Sequence, residues 1–589
     1  MERLRRAFGL GVIVVSFSTF LAQVYRLHLE RWDDAYITFR FARHLASGLG
    51  LVWNVGGERV EGFTSLLHVL VIALGFKLGI DPWLWSLLLS VGCVIASCFV
   101  MLAIVSRHAG GIDAFAAIVV GIFVADPLTA IHSTSGLETQ LFVLLLNLAA
   151  LAALEFFDKP DLARSLFLAL VVIAACLTRP EAILYGLGIY AALGLSFILA
   201  RRRKEGQPKN LQNLGLSVLV AVLGGSLYVL WKYSYFGYLL PNPYYVKSAK
   251  FSLSGLPEVS EYIIHLSRWY LPLLLPVLFA YLFARRRRRR DRSEDPGTSE
   301  SFAGTETGTY AKVLIVLLPA AMGLAYYTTI IHEVGGGSRF SYPTYSLILL
   351  GVLVALSPIL RRIQAGGGVR FGMVAMSFGW FVILFVSCHP WMIGPRPIGA
   401  FGQFHTKVGD ALKATGLDSK GTIICDAAGV IPYVSGFDQI DRVGLTDNFL
   451  SGRSDPTPSE REAYLWSRSA DVYIGAEPPA TPGATDSESD PRMSSQYVSR
   501  ILLKRPLRLI ESRIYLQDPQ LLFRRMQVLR DDWELVGELD WPGWEAWRLK
   551  SFVYVNRSSP YREIIREKIK PLVESGPDQL DLEDVDQNN

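Results

Sequence analysis

Apolar and polar positions along this chain separate into long blocks instead of alternating. An apolar run from about Ala7 to Val24 follows the basic residues Arg3, Arg5 and Arg6, near the lower length for a membrane span. No small-x-small cleavage site closes it, so it reads as an uncleaved first helix with its N-terminus inside. Further apolar stretches lie near Leu66–Phe76, Trp83–Val105, Ala114–Val124, Gln140–Phe157, Ser165–Leu177, Ala182–Ala200, Leu214–Trp231, Tyr262–Phe283, Val313–Ile331, Tyr345–Ile359 and Phe371–Val386. This predicts roughly eleven to twelve spans. Basic runs at Arg201–Lys204, Arg285–Arg290 with Arg292, and Arg361–Arg362 mark the cytoplasmic side. Alternation from those anchors puts Ser135–Glu138, Thr178–Glu181, Tyr235–Lys250, Glu333–Tyr342 and everything after His389 outside. Between the first loop and Glu138, three apolar stretches stand where parity needs an even number. Either Leu66–Phe76 is interfacial or re-entrant, or a neighbouring stretch is not a span.

From about Pro390 the pattern becomes that of a soluble α/β unit. Gly421–Asp426 and Ala470–Ala476 read as strands, and Ala427–Gly436 as a turn into a short helix. Residues 477–493 are expected to form a loop, 291–309 a flexible connector, and the acidic stretch from 574 to 589 a disordered tail. The expected organisation is a membrane domain over 1–389, with a first outer loop at 26–65, and an extracytoplasmic domain over 390–573.

Composition agrees with burial in lipid. The 589 residues are 51% hydrophobic and only 19% charged, with a mean hydropathy of +0.30. The net charge of +5 lies between apolar segments, so the basic residues read as topology signals and not as a nucleic-acid surface. The five cysteines show no disulfide framework or metal spacing.

The candidate chemistry sits where the spans meet the outside. Asp33 and Asp34 follow the first helix directly, then come Arg40, a glycine-rich turn, and the charged cluster Glu58, Arg59 and Glu61. On its own, an acidic pair there is more often an interfacial helix cap. Four other outside segments nonetheless carry polar, glycine or proline residues to the same face: SGLET (135–139), TRPE (178–181), LPNPYYVK (240–247) and GGGSRF (335–340). Together they are expected to line one cavity in which an amphiphilic substrate keeps its tail in lipid. A transporter with the same span number would carry an internal repeat and mid-membrane polar groups, and no repeat is visible. A noncatalytic scaffold for envelope assembly leaves the one-sided motif set unexplained.

With AGVIPYVSG (428–436) and IDRVGLTD (440–447), the set DDAYITFRFARHLASGLGLVWNVGGERVEGFTS (33–65), SGLET, TRPE, LPNPYYVK and GGGSRF resembles the polyprenyl-phosphate-sugar-dependent glycosyltransferases of the multi-spanning GT-C superfamily. It looks similar to the branch holding the mycobacterial terminal arabinofuranosyltransferases. The resemblance implies a GT-C-like membrane domain and sugar transfer from a polyprenyl-phosphate donor to a cell-envelope glycan or glycolipid, on the outer face of a bacterial inner membrane. It implies Asp33 or Asp34 as general base, with Lys247 and Arg339 on the donor phosphate. Arg40, Glu58, Arg59, Glu61, Glu138, Arg179, Glu181, Asn242, Tyr245 and His332 are the expected sugar-binding or site-shaping residues. The sugar (arabinofuranose, mannose or another pentose), the acceptor and the use of a divalent cation stay open at this point.

Overall fold

The computed structural model describes residues 2–28, 32–108, 114–203, 208–247, 253–292, 303–330, 338–364, 367–388, 400–425, 428–475, 525, 528–529, 531–540 and 550–574. Fifteen helices come first: α1 (Glu2–Leu27), α2 (Asp33–Ala46), α3 (Leu66–Lys77), α4 (Pro82–His108), α5 (Ala114–Ala125), α6 (Pro127–Thr134), α7 (Thr139–Asp158), α8 (Leu162–Thr178), α9 (Ala182–Arg202), α10 (Pro208–Phe236), α11 (Asn242–Lys247), α12 (Leu256–Arg292), α13 (Ala303–Tyr327), α14 (Tyr345–Gln364) and α15 (Gly367–Ser387). Among the described residues, eight are long and apolar enough to cross a membrane, or nine if the bent pair α5–α6 is one span. The sequence predicts roughly eleven to twelve, and the shorter apolar helices α8 and α15 account for two of those stretches.

The parity conflict resolves at α3 and α5–α6. Helix α3 has 12 residues, about 18 Å of rise against the roughly 30 Å of a hydrocarbon core. That leaves two crossings between the first loop and Glu138: α4, and α5–α6, which bends by 45°. The bend has a local cause, because the Asp126 carboxylate caps the Leu128 amide at 2.9 Å and Pro127 occupies the first helical position of α6. Helix α10 buries Leu214, Ser217, Lys232 and Phe236 and leaves most of its other side chains exposed, as a lipid-facing helix does.

Helicity extends further than expected around the arginine run. Helix α12 continues through it to Arg292 and α13 already begins at Ala303, so the proposed flexible connector shrinks to 293–302, outside the described residues. The expected loop at 477–493 and the acidic tail beyond Glu574 also lie outside them.

The C-terminal unit adds α16 (Ala400–Lys413), α17 (Val430–Ser435), α18 (Pro458–Ser467) and α19 (Arg562–Glu574) to a five-stranded sheet of β1 (Thr422–Cys425), β2 (Asp438–Asp441), β3 (Val472–Gly475), β4 (Trp533–Asp540) and β5 (Lys550–Asn556). The strand order is β2-β1-β3-β5-β4. Strand β1 runs parallel to β2 and β3, whereas β5 pairs antiparallel with both β3 and β4. Strands β4 and β5 go beyond the sequence expectation.

Helix α2 fixes this unit to the helical bundle. Its first turn carries Asp33 and Asp34 and its last turn the cation Arg43, an arrangement that suits the two helix ends; Gly48 (φ +80°) and Gly50 (φ +87°) then turn the chain away. Asp33 accepts from the Gly429 and Val430 amides at 3.0 and 2.8 Å, at the start of α17. At the other end of α17, Arg40 donates to the Pro432 and Phe437 carbonyls at 2.6 and 2.9 Å, and Arg43 donates to the Tyr433 carbonyl at 3.1 Å. The anion thus meets the positive end of the short helix and the two cations meet its negative end. Gly429 is required by contact, since a Cβ there would lie 1.8 Å from the Asp33 carbonyl oxygen. Two more stitches lie beyond: Asn54 exchanges hydrogen bonds with the Gln439 backbone at 2.9 and 3.1 Å, and Glu58 accepts from the Asn448 backbone and side chain at 3.0 and 3.1 Å.

Replacing Arg40, which is 2% exposed, by alanine strands these carbonyls and Asp438, 3.7 Å away. A loss of about 3–5 kcal/mol in the docking of the C-terminal unit is expected. Limited proteolysis in detergent should show that unit released faster than in the wild type; unchanged protection would contradict the clamp.

Candidate active site

The end segments of the bundle close around a cavity of about 370 Å³. Its walls come from every outside segment anticipated from the sequence: Gly62–Ser65 after α2, Leu137–Glu138 before α7, Arg179–Glu181 between α8 and α9, Leu240–Tyr244 after α10, and Arg339–Phe340 before α14. Helix α2 contributes Asp34, Ile37 and Thr38, and the C-terminal unit contributes Leu445. Turn geometry explains how some of these segments reach the site. Gly136 (φ +73°) packs so tightly that a Cβ would come within 2.7 Å of Ala35 and Trp83, which seats SGLET against α2. The Asn242 amide donates to the Glu61 carbonyl at 3.0 Å, joining LPNP to the first-loop segment.

Inside, charge is organised as a network. Arg339 donates from Nη1 to Asp34 Oδ2 at 2.8 Å. Arg179 donates from Nε to Glu138 at 2.8 Å and from Nη1 to Glu181 at 3.3 Å, and Tyr327 adds a hydroxyl to Glu181 at 3.3 Å. Burial opposes ionisation of Glu138, yet the guanidiniums of Arg179 and then Arg339 overcome it and hold the carboxyl down at about 2. Arg179 is paired with two carboxylates, whereas the buried Nε of Arg339 has no hydrogen-bond partner among the described residues. Phe63, Tyr244, Tyr326, Ile330 and Phe340 supply apolar wall around these groups.

The two neighbouring aspartates part company here. Asp34 lines the cavity; Asp33 is turned to α17, with His405 Nδ1 at 3.9 Å on its far side. Arg40, Glu58 and Arg59 do not line the cavity. They belong to the docking seam, with Arg59 stacked 4.4 Å over Tyr235. Glu61 is also displaced from the cavity, because it is buried against Lys232 Nζ at 2.9 Å. Asn242 is buried beside the cavity and Tyr245 sits under Arg453, 5.0 Å from ring centre to guanidinium. Lys247 ends α11 with its side chain outside the described atoms, and His332, Glu333 and the glycines 335–337 fall outside the described residues altogether. Among the described residues no group of three or more His, Cys, Asp or Glu is arranged to hold a metal. The aspartates of the C-terminal unit are local caps: Asp441 accepts from the Val443 and Thr446 amides, both at 2.9 Å, and Asp447 accepts from Leu450 at 2.8 Å.

Sequence reasoning missed Lys232 and Leu445. A lysine inside the apolar run that ends α10 was the available signal for the first, since such a charge needs a buried partner. Leu445 lies in the IDRVGLTD motif, but nothing singled it out from its neighbours there.

No family model and no curated protein matches the chain. Solved structures do. The oligosaccharyltransferase of Archaeoglobus fulgidus tethered with an acceptor peptide containing the NVT sequon superposes with a TM-score of 0.52 at 11% identity, over 93% of this chain and 81% of that one. The fold is GT-C-like and is shared with that oligosaccharyltransferase. The archaeal oligosaccharyltransferase AglB from the same organism, in complex with an inhibitory peptide and a dolichol-phosphate, gives 0.51 at 11% identity over 92% and 81%. ArnT from Cupriavidus metallidurans bound to undecaprenyl phosphate covers 79% of this chain and 92% of its own, at 10% identity and a TM-score of 0.46. At these identities the likeness is one of fold.

Burial pushes the Asp33 carboxyl up to about 7, with Asp34 adding to the rise and the Val430 and Gly429 amides working against it. A folded value above the unfolded one makes its stabilising contribution full below about pH 4 and lost as pH rises towards 7. Glu61 and Asp441, raised by burial to about 7 and about 6, titrate in the same sense, so the informative quantity is the wild type compared with Asp33→Asn. The thermal midpoint of the wild type minus that of the variant should fall between pH 4 and 7 and level off above. A difference independent of pH would contradict the assignment.

Proposed function

We propose that this membrane protein transfers a sugar from a polyprenyl-phosphate-linked donor to a hydroxyl of a cell-envelope glycan or glycolipid, with Asp34 as general base. The observation that carries the reading is the facing pair of Asp34 and Arg339 in a cavity at one end of a GT-C bundle. A carboxylate is what an attacking hydroxyl needs, and a guanidinium is what a departing phosphate needs. The dolichol-phosphate and acceptor peptide of the archaeal structures give the same two substrate kinds on the same fold.

In the proposed reaction the acceptor oxygen attacks the anomeric carbon and its proton passes to Asp34. The bond from that carbon to the phosphate oxygen breaks, and its electron pair leaves with the polyprenyl phosphate. Arg339 steadies the growing phosphate charge, and its planar fork suits two phosphate oxygens. Glu138 and Glu181, fixed by Arg179, are placed to accept hydrogen bonds from sugar hydroxyls. Direct displacement from the face opposite the phosphate inverts the anomeric centre. In this reading the cavity end faces the outside of a bacterial inner membrane, an orientation that the positive-inside placement of the arginine runs supports. There, lipid-linked sugars made inside are the available donors. Arabinofuranose, mannose and other pentoses are the sugars to assay.

Purified protein assayed with a panel of polyprenyl-phosphate sugars should transfer one of them. Asp34→Asn should lower turnover by about 10²–10⁴-fold, while Asp33→Asn keeps measurable turnover with a less firmly docked C-terminal unit. Loss in Asp33→Asn with full activity in Asp34→Asn would reverse the assignment.

A further inference from the structure

Resting on that reading, the geometry points to a base that is masked until the donor arrives: we infer that the donor phosphate competes with Asp34 for Arg339 and thereby releases the carboxylate for catalysis. Three observations carry this. First, Asp34 Oδ2 lies 2.8 Å from Arg339 Nη1, so the carboxylate proposed to take the proton is already engaged by a cation. Second, the charge of the other cavity guanidinium is already matched twice over, because Arg179 is held by both Glu138 and Glu181 in a buried pairing. Arg339 is the one with a buried Nε lacking a partner among the described residues, and so has donor capacity for a further anion. Third, in a direct displacement the attacking and leaving oxygens lie on opposite sides of the anomeric carbon, with the sugar ring between the base and the phosphate. One guanidinium held against Asp34 cannot also stay on the phosphate in that arrangement.

Electrostatics favours the exchange. The cavity already holds the carboxylates Asp34, Glu138 and Glu181 against the guanidiniums Arg179 and Arg339. A phosphodiester placed beside an ionised Asp34 on a shared cation adds a like-charge contact, which is relieved when the carboxylate turns towards the acceptor hydroxyl. An empty site therefore keeps its base paired, and after transfer the monoester product, with more negative charge, holds Arg339 until it leaves.

Competition has a thermodynamic signature that needs no acceptor and no turnover. Undecaprenyl phosphate is titrated into the full-length protein in detergent, with undecaprenol as the phosphate-free control. Asp34→Asn, which removes the competitor, should bind the phosphate about tenfold tighter than the wild type, the equivalent of one charge-assisted hydrogen bond. In an Arg339→Gln background the same Asp34→Asn change should give no tightening, and undecaprenol should show no dependence on either residue. Equal tightening with and without Arg339 would mean only a general field effect and would overturn the exchange, as would unchanged affinity in Asp34→Asn. Failure of undecaprenyl phosphate to bind any folded variant would remove the proposed donor class itself, and the exchange with it.

Discussion

Successive residues on an α-helix point about 100° apart, and this structure depends on what α2 does with that angle at its first turn. Asp33 points to the C-terminal unit and accepts the amides that open α17; Asp34 points to the cavity and meets Arg339. A single helix therefore ties two halves of the molecule together while presenting one carboxylate to the site. Its remaining turns reinforce the same division, with Arg40 and Arg43 on the docking side and Ile37 and Thr38 on the cavity side.

Docking in turn completes the cavity. Leu445 reaches the wall only because the C-terminal unit is clamped at both ends of α17 and stitched again through Asn54 and Glu58. The fit is tight at Gly62, where a Cβ would stand 2.7 Å from Thr446 Cγ2. Loosening of this seam opens the cavity on that side to water. Ion pairs inside weaken as the local dielectric rises, so the seam governs the strength of the Asp34–Arg339 contact as well as the shape of the site.

Much of this was legible in the sequence, and the parts that were not have physical reasons. Apolar runs and arginine clusters gave the spans, and the four polar segments between them gave the cavity, because charged residues at a membrane edge have few other uses. Period alone could not exclude α3 as a span; only its length of 12 residues does so. Arg40, Glu58 and Arg59 read as site residues because charge next to Asp34 in sequence looks like charge next to it in space. Helical geometry turns Arg40 to carbonyls some 390 positions away in the chain, and the loop beyond α2 carries Glu58 to Asn448 and Arg59 to Tyr235. Strand β5 depends on pairing with β3 across a long stretch of sequence, and β4 joins the sheet only through β5, a partnership that no local pattern announces.

The most direct test is a structure of the protein with a non-transferable polyprenyl-phosphate sugar analogue. The account predicts the phosphate within hydrogen-bond distance of the Arg339 guanidinium, with Asp34 swung off Arg339 and on the opposite side of the anomeric carbon. A bound analogue whose phosphate lies away from Arg339, or whose anomeric carbon lies out of reach of Asp34, would contradict it.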